Sequence, residues 1–393
     1  MKNRLLFLEG SSLTSRETLT VLLKESYKVD VLSPDKFSIA TFSRLTHRIP
    51  TVDVNRFPLD YLKQVNQLLH QKNYAAILPT HEEGWLLANG EKFLPTRLPV
   101  ALADKEQIER LAGKIAFAEI SDQLNLPIPK WERVENLESV SLPYPYWLKA
   151  DYGTAGRSVY KITSKEDLVE VASRLTASDE KWMVQQDIVG DYGQVQAVFH
   201  HGQLLAVHSS VKVGSGAGGS AAARLSIESE KTREHVEKLG QFLQWNGALT
   251  LDFIRTDGYF YYIECNPRMV EPANAYKAGV NFPKIMIELA NGCYSKSDVS
   301  VGQAGVGTHS LMALLIGTAE RTKSRKKIVR TMRKWLFNSD SEEVLTPIWK
   351  DPLSFIPLAI IISRLLINPR SVTKLVDKTV KHYSVEPTTL KNI

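Results

Sequence analysis

The stretch from Gly247 to Arg268 constrains this chain more than any other. Two apolar, β-rich runs flank Asp257-Gly258, a residue pair typical of a tight hairpin turn. Asp252 stands in the first run, and Glu264, Asn266 and Arg268 occupy every second position of the other. Side chains alternate along a strand, so those three project from one face. Carboxylates, an amide oxygen and a guanidinium suit a divalent cation bound to polyphosphate. An amphipathic hairpin with one wet face would ordinarily carry Thr, Lys and Ser there. Acids in a run as apolar as Tyr259-Phe-Tyr-Tyr-Ile263 are costly unless something cationic pairs with them. Asp252 joins the face on one condition. A plain two-residue turn sets it opposite Ile263 and away from Glu264. The pattern therefore predicts a three-residue loop or a β-bulge.

Asp252 with Glu264-Cys265-Asn266-Pro267-Arg268 resembles the metal-binding end of the ATP-grasp superfamily, which includes carbamoyl phosphate synthetase, biotin carboxylase and D-alanine–D-alanine ligase. The resemblance implies ATP, with Mg²⁺ (or Mn²⁺ in its place) held by Asp252, Glu264 and Asn266. It also implies a catalytic role for Arg268. Cys265 points to the opposite face and reads as packing.

Strands alternate with helices over the first hundred residues: Leu5–Leu8, Val29–Leu32 and Ala75–Leu78 as strands; 15–26, 58–71 and 82–93 as helices. This indicates a parallel α/β sheet whose ligands lie beyond the carboxyl ends of the strands. Gly10-Ser-Ser12 and Pro79–Glu83 fall there. Thr80, His81, Glu82 and Glu83 either contact a substrate amine or cap the following helix.

A helix is expected over Arg110–Leu124, with Lys114 early in it. Lys114 is either the first nucleotide lysine the resemblance implies or a solvated helix residue. A strand ending in Lys149 then opens into Gly153-Thr154-Ala-Gly156-Arg-Ser158. Small residues let backbone amides approach phosphates, while Lys149 adds a point charge. The P-loop pattern is absent, and this segment resembles the phosphate-covering loop of ATP-grasp enzymes. Trp182–Asp191 resembles their hinge strand, so Gln185, Gln186 and Ile188 are implied at the nucleotide. Many members have Glu where Gln186 stands, which leaves Asp191 as the candidate for the ribose hydroxyls.

Gly214-Ser-Gly216-Ala-Gly-Gly219 satisfies a dinucleotide fingerprint, but the chain lacks the βαβ context and the acid about 20 residues on. It reads instead as a mobile loop over the acyl site, with catalytic Arg224 near phosphate or a substrate carboxylate. Strands 193–199 and 203–211 form a hairpin about His200-His201-Gly202, followed by a helix over 230–244.

Past Gly307 the resemblance stops. Residues 320–337 carry eight basic side chains against Glu320, and Pro352–Pro369 is nearly all apolar. Two readings stand: peripheral contact of 320–369 with anionic membrane, or a helical subdomain packed on the catalytic lobes. No nucleic-acid reader motif accompanies the charge. Two cysteines give no disulfide framework, and a net charge of +6 is modest. A cytoplasmic setting is expected, or the inner face of the membrane.

The expected architecture is α/β. An N-terminal parallel α/β domain (1–100) precedes a two-lobed ATP-grasp fold (101–307, lobes about 101–185 and 186–307) and a helical extension (308–393). The resemblance implies an ADP-producing ligase that activates a carboxylate as an acyl phosphate and passes it to an amine. A catalytically silent nucleotide-binding scaffold is the alternative. Small-molecule acid and amine are the expected partners, with a homodimer a further expectation.

Overall fold

The computed structural model describes residues 3–137, 140–153, 158–175, 181–295, 298–372, 385, 387–390 and 393. Its first layer comprises β1 (Arg4–Phe7), α1 (Leu13–Leu22), β2 (Lys28–Ser33), β3 (Thr46–Pro50), α2 (Pro58–Gln71), β4 (Ala76–Leu78) and α3 (Glu83–Asn89). The four strands pair in parallel in the order β3-β2-β1-β4. Leu5, Phe7, Val29 and Val31 pack on one side of this sheet, Leu6, Leu8 and Leu32 on the other. Burial on both faces explains the unbroken apolar runs. β3 escaped the sequence pattern because Thr46-His-Arg-Ile-Pro50 is a polar edge strand. Gly10–Ser12 and Pro79–Glu83 do lie just beyond the carboxyl ends of β1 and β4.

The second unit holds α4 (Lys105–Ala112), α5 (Lys114–Gln123), β5 (Trp131–Val134), β6 (Tyr146–Ala150), β7 (Val159–Ile162), α6 (Lys165–Arg174) and β8 (Trp182–Gln186). Its strands form an antiparallel sheet ordered β5-β8-β6-β7. The single helix expected over Arg110–Leu124 is two helices broken at Gly113. A Cβ there would lie 2.9 Å from Asp151 Oδ1. Asp151 takes that space and binds the first turn of α5, accepting from Ile115 N through its side chain and from Lys114 N through its carbonyl, each at 2.9 Å. The break thus fixes where Lys114 stands.

The largest sheet uses β9 (Asp191–His200), β10 (Gln203–Ser215), β11 (Ala221–Ile227), β12 (Gly247–Thr256) and β13 (Tyr259–Asn266), with α7 (Glu230–Leu243) on its apolar side. α8 (Ala273–Lys277), α9 (Phe282–Ala290), β14 (Ser300–Val301), β15 (Gly307–His309), α10 (Leu311–Thr322), α11 (Arg325–Leu336), β16 (Glu342–Glu343) and α12 (Phe355–Ile367) follow. Strand order is β13-β12-β9-β10-β11-β15-β16, with β14 beside β10. Cys265 is buried in the core with Leu251 and Phe253.

The glycine-rich segment is the tip of the antiparallel β10–β11 hairpin, so no βαβ unit follows it. It was read as a mobile loop, yet α10 holds it. Gly218 N donates to Glu320 at 2.7 Å, and Arg321 donates to the carbonyls of Ser215 and Gly216. Gly317 lies so close that a Cβ would sit 2.3 Å from the Gly216 carbonyl carbon.

α10, α11 and α12 share a core with Ala222 and Ala223 of β11, through Leu315, Ile328, Trp335, Leu358 and Leu365. The extension is therefore a helical subdomain packed on the large sheet, with the basic side chains of α11 facing outward. Arg16 of α1 ties it to the first layer by a buried pair with Asp351 at 2.9 Å. Among the described residues, no helix is long and apolar enough to cross a membrane.

Candidate active site: the polar face of the large sheet

Asp257 (φ 49°) and Gly258 (φ 78°) form the two-residue turn of the β12–β13 hairpin, and Thr256 faces Tyr259. Regular pairing runs back to Phe253–Tyr262, and then Asp252 faces Glu264 rather than Ile263. Ile263 is the extra residue of a β-bulge. The irregularity required by the sequence is present, as a bulge and not as a longer loop. Asp252, Glu264, Asn266 and Thr250 consequently share one face.

That face is half-buried, and the acids crowd it. Burial, and then the charge of Glu264, push the Asp252 carboxyl up to about 7. The Tyr192 hydroxyl, through its hydrogen bond, and the charges of Arg224 and Arg268 oppose the rise. Two carboxylates facing each other with little water are a standing demand for a cation. Arg268 reaches Asn266 Oδ1 at 3.3 Å and His81 Nε2 at 3.1 Å, linking the hairpin to the rim of the first sheet.

Both lysines arrive from the second unit. Lys114 Nζ stands 3.8 Å from Glu264 Oε1 and donates to the Gly153 carbonyl at 3.4 Å, with its side chain only 5% exposed. It is not a solvated helix residue. Lys149 donates to Gln185 Oε1 at 2.6 Å. Burial pulls its ammonium down to about 8, against the attraction of Glu264 and Asp252.

The structure therefore gathers Lys114, Lys149, Gln185, Asp252, Glu264, Asn266 and Arg268. Gln186 is half-buried, with its backbone N–H given to the Lys130 carbonyl, and Ile188 lies in the connection to β9. Ser158 follows the loop, its carbonyl bound by Ala150 N. Thr154 and Gly156 lie outside the described residues. Asp191 is not brought in. It sits three residues from Gln194, the partner of Asp252, and so on the opposite face, where it pairs with Arg255 at 2.8 Å.

Arg224 of β11 is buried on the site face and bonds Glu271 at 2.8 Å. Sequence reasoning missed what surrounds it. Tyr192 and Gln194 of β9 and Ser210 of β10 line the same face between Arg224 and Asp252. Their signal was the alternation of polar residues with Gly193 and Val195, in a strand read only as one arm of a hairpin. Glu17 of α1 comes from far away in sequence and accepts from Ala273 N at 3.0 Å.

Glu9 directly follows the apolar run Leu5–Leu8. It is buried and accepts from Ser11 N (2.6 Å), Ser12 N (2.9 Å) and the Thr80 hydroxyl (2.9 Å). Thr80 is thus no helix cap: Glu82 occupies the cap position of α3. A surface hollow lined by Lys72, Asn73, Tyr74 and Arg97 sits at the amino end of β4, away from this face.

Known proteins place this geometry. The ATP-grasp domain family matches residues 111–272. The carbamoyl phosphate synthase large chain of Thermoanaerobacter sp. (strain X514) is 24% identical over 229 residues, 53% of this chain and 20% of that one. This chain thus spans about a fifth of the length of the curated relatives it matches. Among solved structures, the biotin carboxylase domain of Hydrogenobacter thermophilus 2-oxoglutarate carboxylase, a dimer with MgADP, ADP and bicarbonate, matches with a TM-score of 0.60. It is 17% identical, with 78% of this chain and 73% of that one covered. The L-amino acid ligase of Bacillus licheniformis matches with a TM-score of 0.56 at 17% identity, covering 74% of each chain. The family match and the paired acids fall in the same stretch, and residues 111–272 of this chain are similar to the ATP-grasp domain family.

Proposed function

We propose that the chain is an ATP- and Mg²⁺-dependent ligase that activates a carboxylate as an acyl phosphate and transfers the acyl group to an amine. The observation that carries this reading is the bulge at Ile263, which sets Asp252 against Glu264 within 3.8 Å reach of Lys114.

The donor set fits a divalent cation bound together with nucleotide. Among the described residues no three His, Cys, Asp or Glu side chains converge on one point. The protein offers two carboxylates and the Asn266 amide, and phosphate oxygens would complete the hard-oxygen shell. A cation bound there would neutralise phosphate charge during transfer.

The chain's own groups do the rest. Lys114 and Lys149, from the opposite lobe, would hold the phosphate oxygens. Gln185 fixes Lys149 by accepting a hydrogen bond from its ammonium. Arg268, braced by Asn266 and His81, would face charge that develops on the transferred phosphoryl group. Arg224 would take the acid. Such chemistry needs positioning and charge neutralisation rather than a side-chain nucleophile. A dry site protects the activated acyl group from hydrolysis.

Phosphate release with ATP, Mg²⁺ and panels of carboxylic acids and amines tests the proposal. Glu264→Gln should lower turnover by more than about 10²-fold with the fold intact by circular dichroism. Near-normal turnover in that variant would remove Glu264 from the metal.

A further inference from the structure

The face between Asp252 and the first layer carries polar groups that the phosphate chemistry leaves unused. Gln194 (1% exposed) and Ser210 (0%) are cross-strand partners on β9 and β10, and Arg224 (7%) shares their face two residues along β11 from Ser226, the partner of Ser210. Among the described residues, Gln194 Nε2, Ser210 Oγ and Arg224 Nη1 are each buried without a hydrogen-bond partner. Leaving such groups unpaired is unfavourable, so a cluster of them on one face is a mould for a polar ligand. Two of the three are obligate donors and the hydroxyl can be one, which suits an oxyanion.

The far side of the cluster has the opposite character. Glu271 and Glu17, from the segment after β13 and from α1, lie beside Arg224. One guanidinium faces the buried Glu17 and the half-buried Glu271, and the deficit shows in Glu17, pushed up to about 8 by burial and by the charge of Glu271. Pairing alone would be satisfied with one acid. The second has no cation of its own among the charges that act most strongly on it, which are Glu271, Arg224 and Glu343.

We propose that this pocket receives a zwitterion: the acid substrate is an α-amino acid, its carboxylate on Gln194, Ser210 and Arg224 and its ammonium on Glu271 and Glu17. The assignment rests on the ligase reading above and narrows its substrate. The carboxylate end lies toward Asp252, where phosphoryl transfer would occur, because Gln194 is the direct cross-strand partner of Asp252. The ammonium end lies toward the first layer. A carbonate-sized anion would satisfy the donors and leave the second carboxylate uncompensated.

Matched acids decide the matter. Alanine, lactate and propionate, with phenylalanine, phenyllactate and phenylpropionate, are compared in the presence of MgADP by thermal shift and calorimetry. With MgATP they are compared by phosphate release. The amino member of one series should bind at least about 10²-fold more tightly than its hydroxy counterpart. Glu17→Gln keeps the acceptor for Ala273 N and should erase that preference while MgADP binding persists. Equal binding of all three members of both series, or an unchanged preference in Glu17→Gln, overturns the zwitterion pocket whether or not turnover is seen. Amino-acid binding that is lost in Glu17→Gln, with no phosphate released from any acid, would sink the ligase reading and leave the pocket standing.

Discussion

Two hairpins of one sheet, β12–β13 and β10–β11, meet the same face by opposite means. The first carries acids whose placement depends on one surplus residue, Ile263. Its acids are half-buried, mutually repulsive and poor for stability. The second carries glycines at its tip and owes its shape to α10, through Gly317, Glu320 and Arg321. Its contacts are neutral or charge-assisted and favour the fold. The contrast teaches that the proposed chemistry falls where local energy is unfavourable, and the neighbouring hairpin is held by ordinary packing.

The largest effect expected breaks the first hairpin. One alanine inserted after Ile263 throws Glu264 to the far face and should abolish turnover. Deleting Ile263 leaves Asp252 opposite Glu264, with Phe260 and Tyr262 still inward, and should keep turnover within about tenfold of the parent. Equal turnover in both variants would show that the register does not set the site.

The second hairpin should answer differently. In Gly317→Ala the new methyl group must displace the Gly216 backbone. A loss of about 1–3 kcal/mol by denaturant titration is expected, with kcat reduced less than tenfold. A Gly317→Ala protein as stable as the parent would mean that α10 does not hold the tip.

Asp252→Asn separates stability from function within the first hairpin. The folded carboxyl titrates near 7, above its ordinary 3.8. Its favourable contribution is therefore complete below about 4 and lost as pH rises through 7. At pH 8 without cation the variant should be more stable than the parent, by at most about 4 kcal/mol, and the difference should vanish at low pH. MgADP should raise the melting temperature of the parent alone. A variant less stable at pH 8 would contradict the crowding of the acids.

The smallest effect concerns Lys149. With its ammonium near 8, charge is lost as pH rises through that value, so nucleotide affinity should fall between pH 7 and 9. Lys149→Arg should flatten the profile, because arginine stays charged. A parent profile already flat would place Lys149 away from phosphate.

Much of this was legible beforehand, for identifiable reasons. The limits of α2 (58–71) followed from periodicity and from proline at the first turn. Asp257-Gly258 announced its turn because few other pairs tolerate two positive φ angles. The polar edge strand β3 and the break at Gly113 were not legible, since the first lacks alternation and the second answers to Asp151, 38 positions away. Asp191 was misplaced because a three-residue offset from Gln194 reverses its face, and register is invisible until strands pair.

By itself the sequence determined the parallel first layer, the acid-bearing hairpin and the need for an irregularity within it. Those depend on neighbours along the chain, where sterics and alternation act. Only tertiary structure decided that Glu17 and Arg224 meet, that Lys114 stands against Glu264, and that the basic extension packs on the sheet. Charges interact through space, and nothing in the order of residues fixes which distant strands will bring them together.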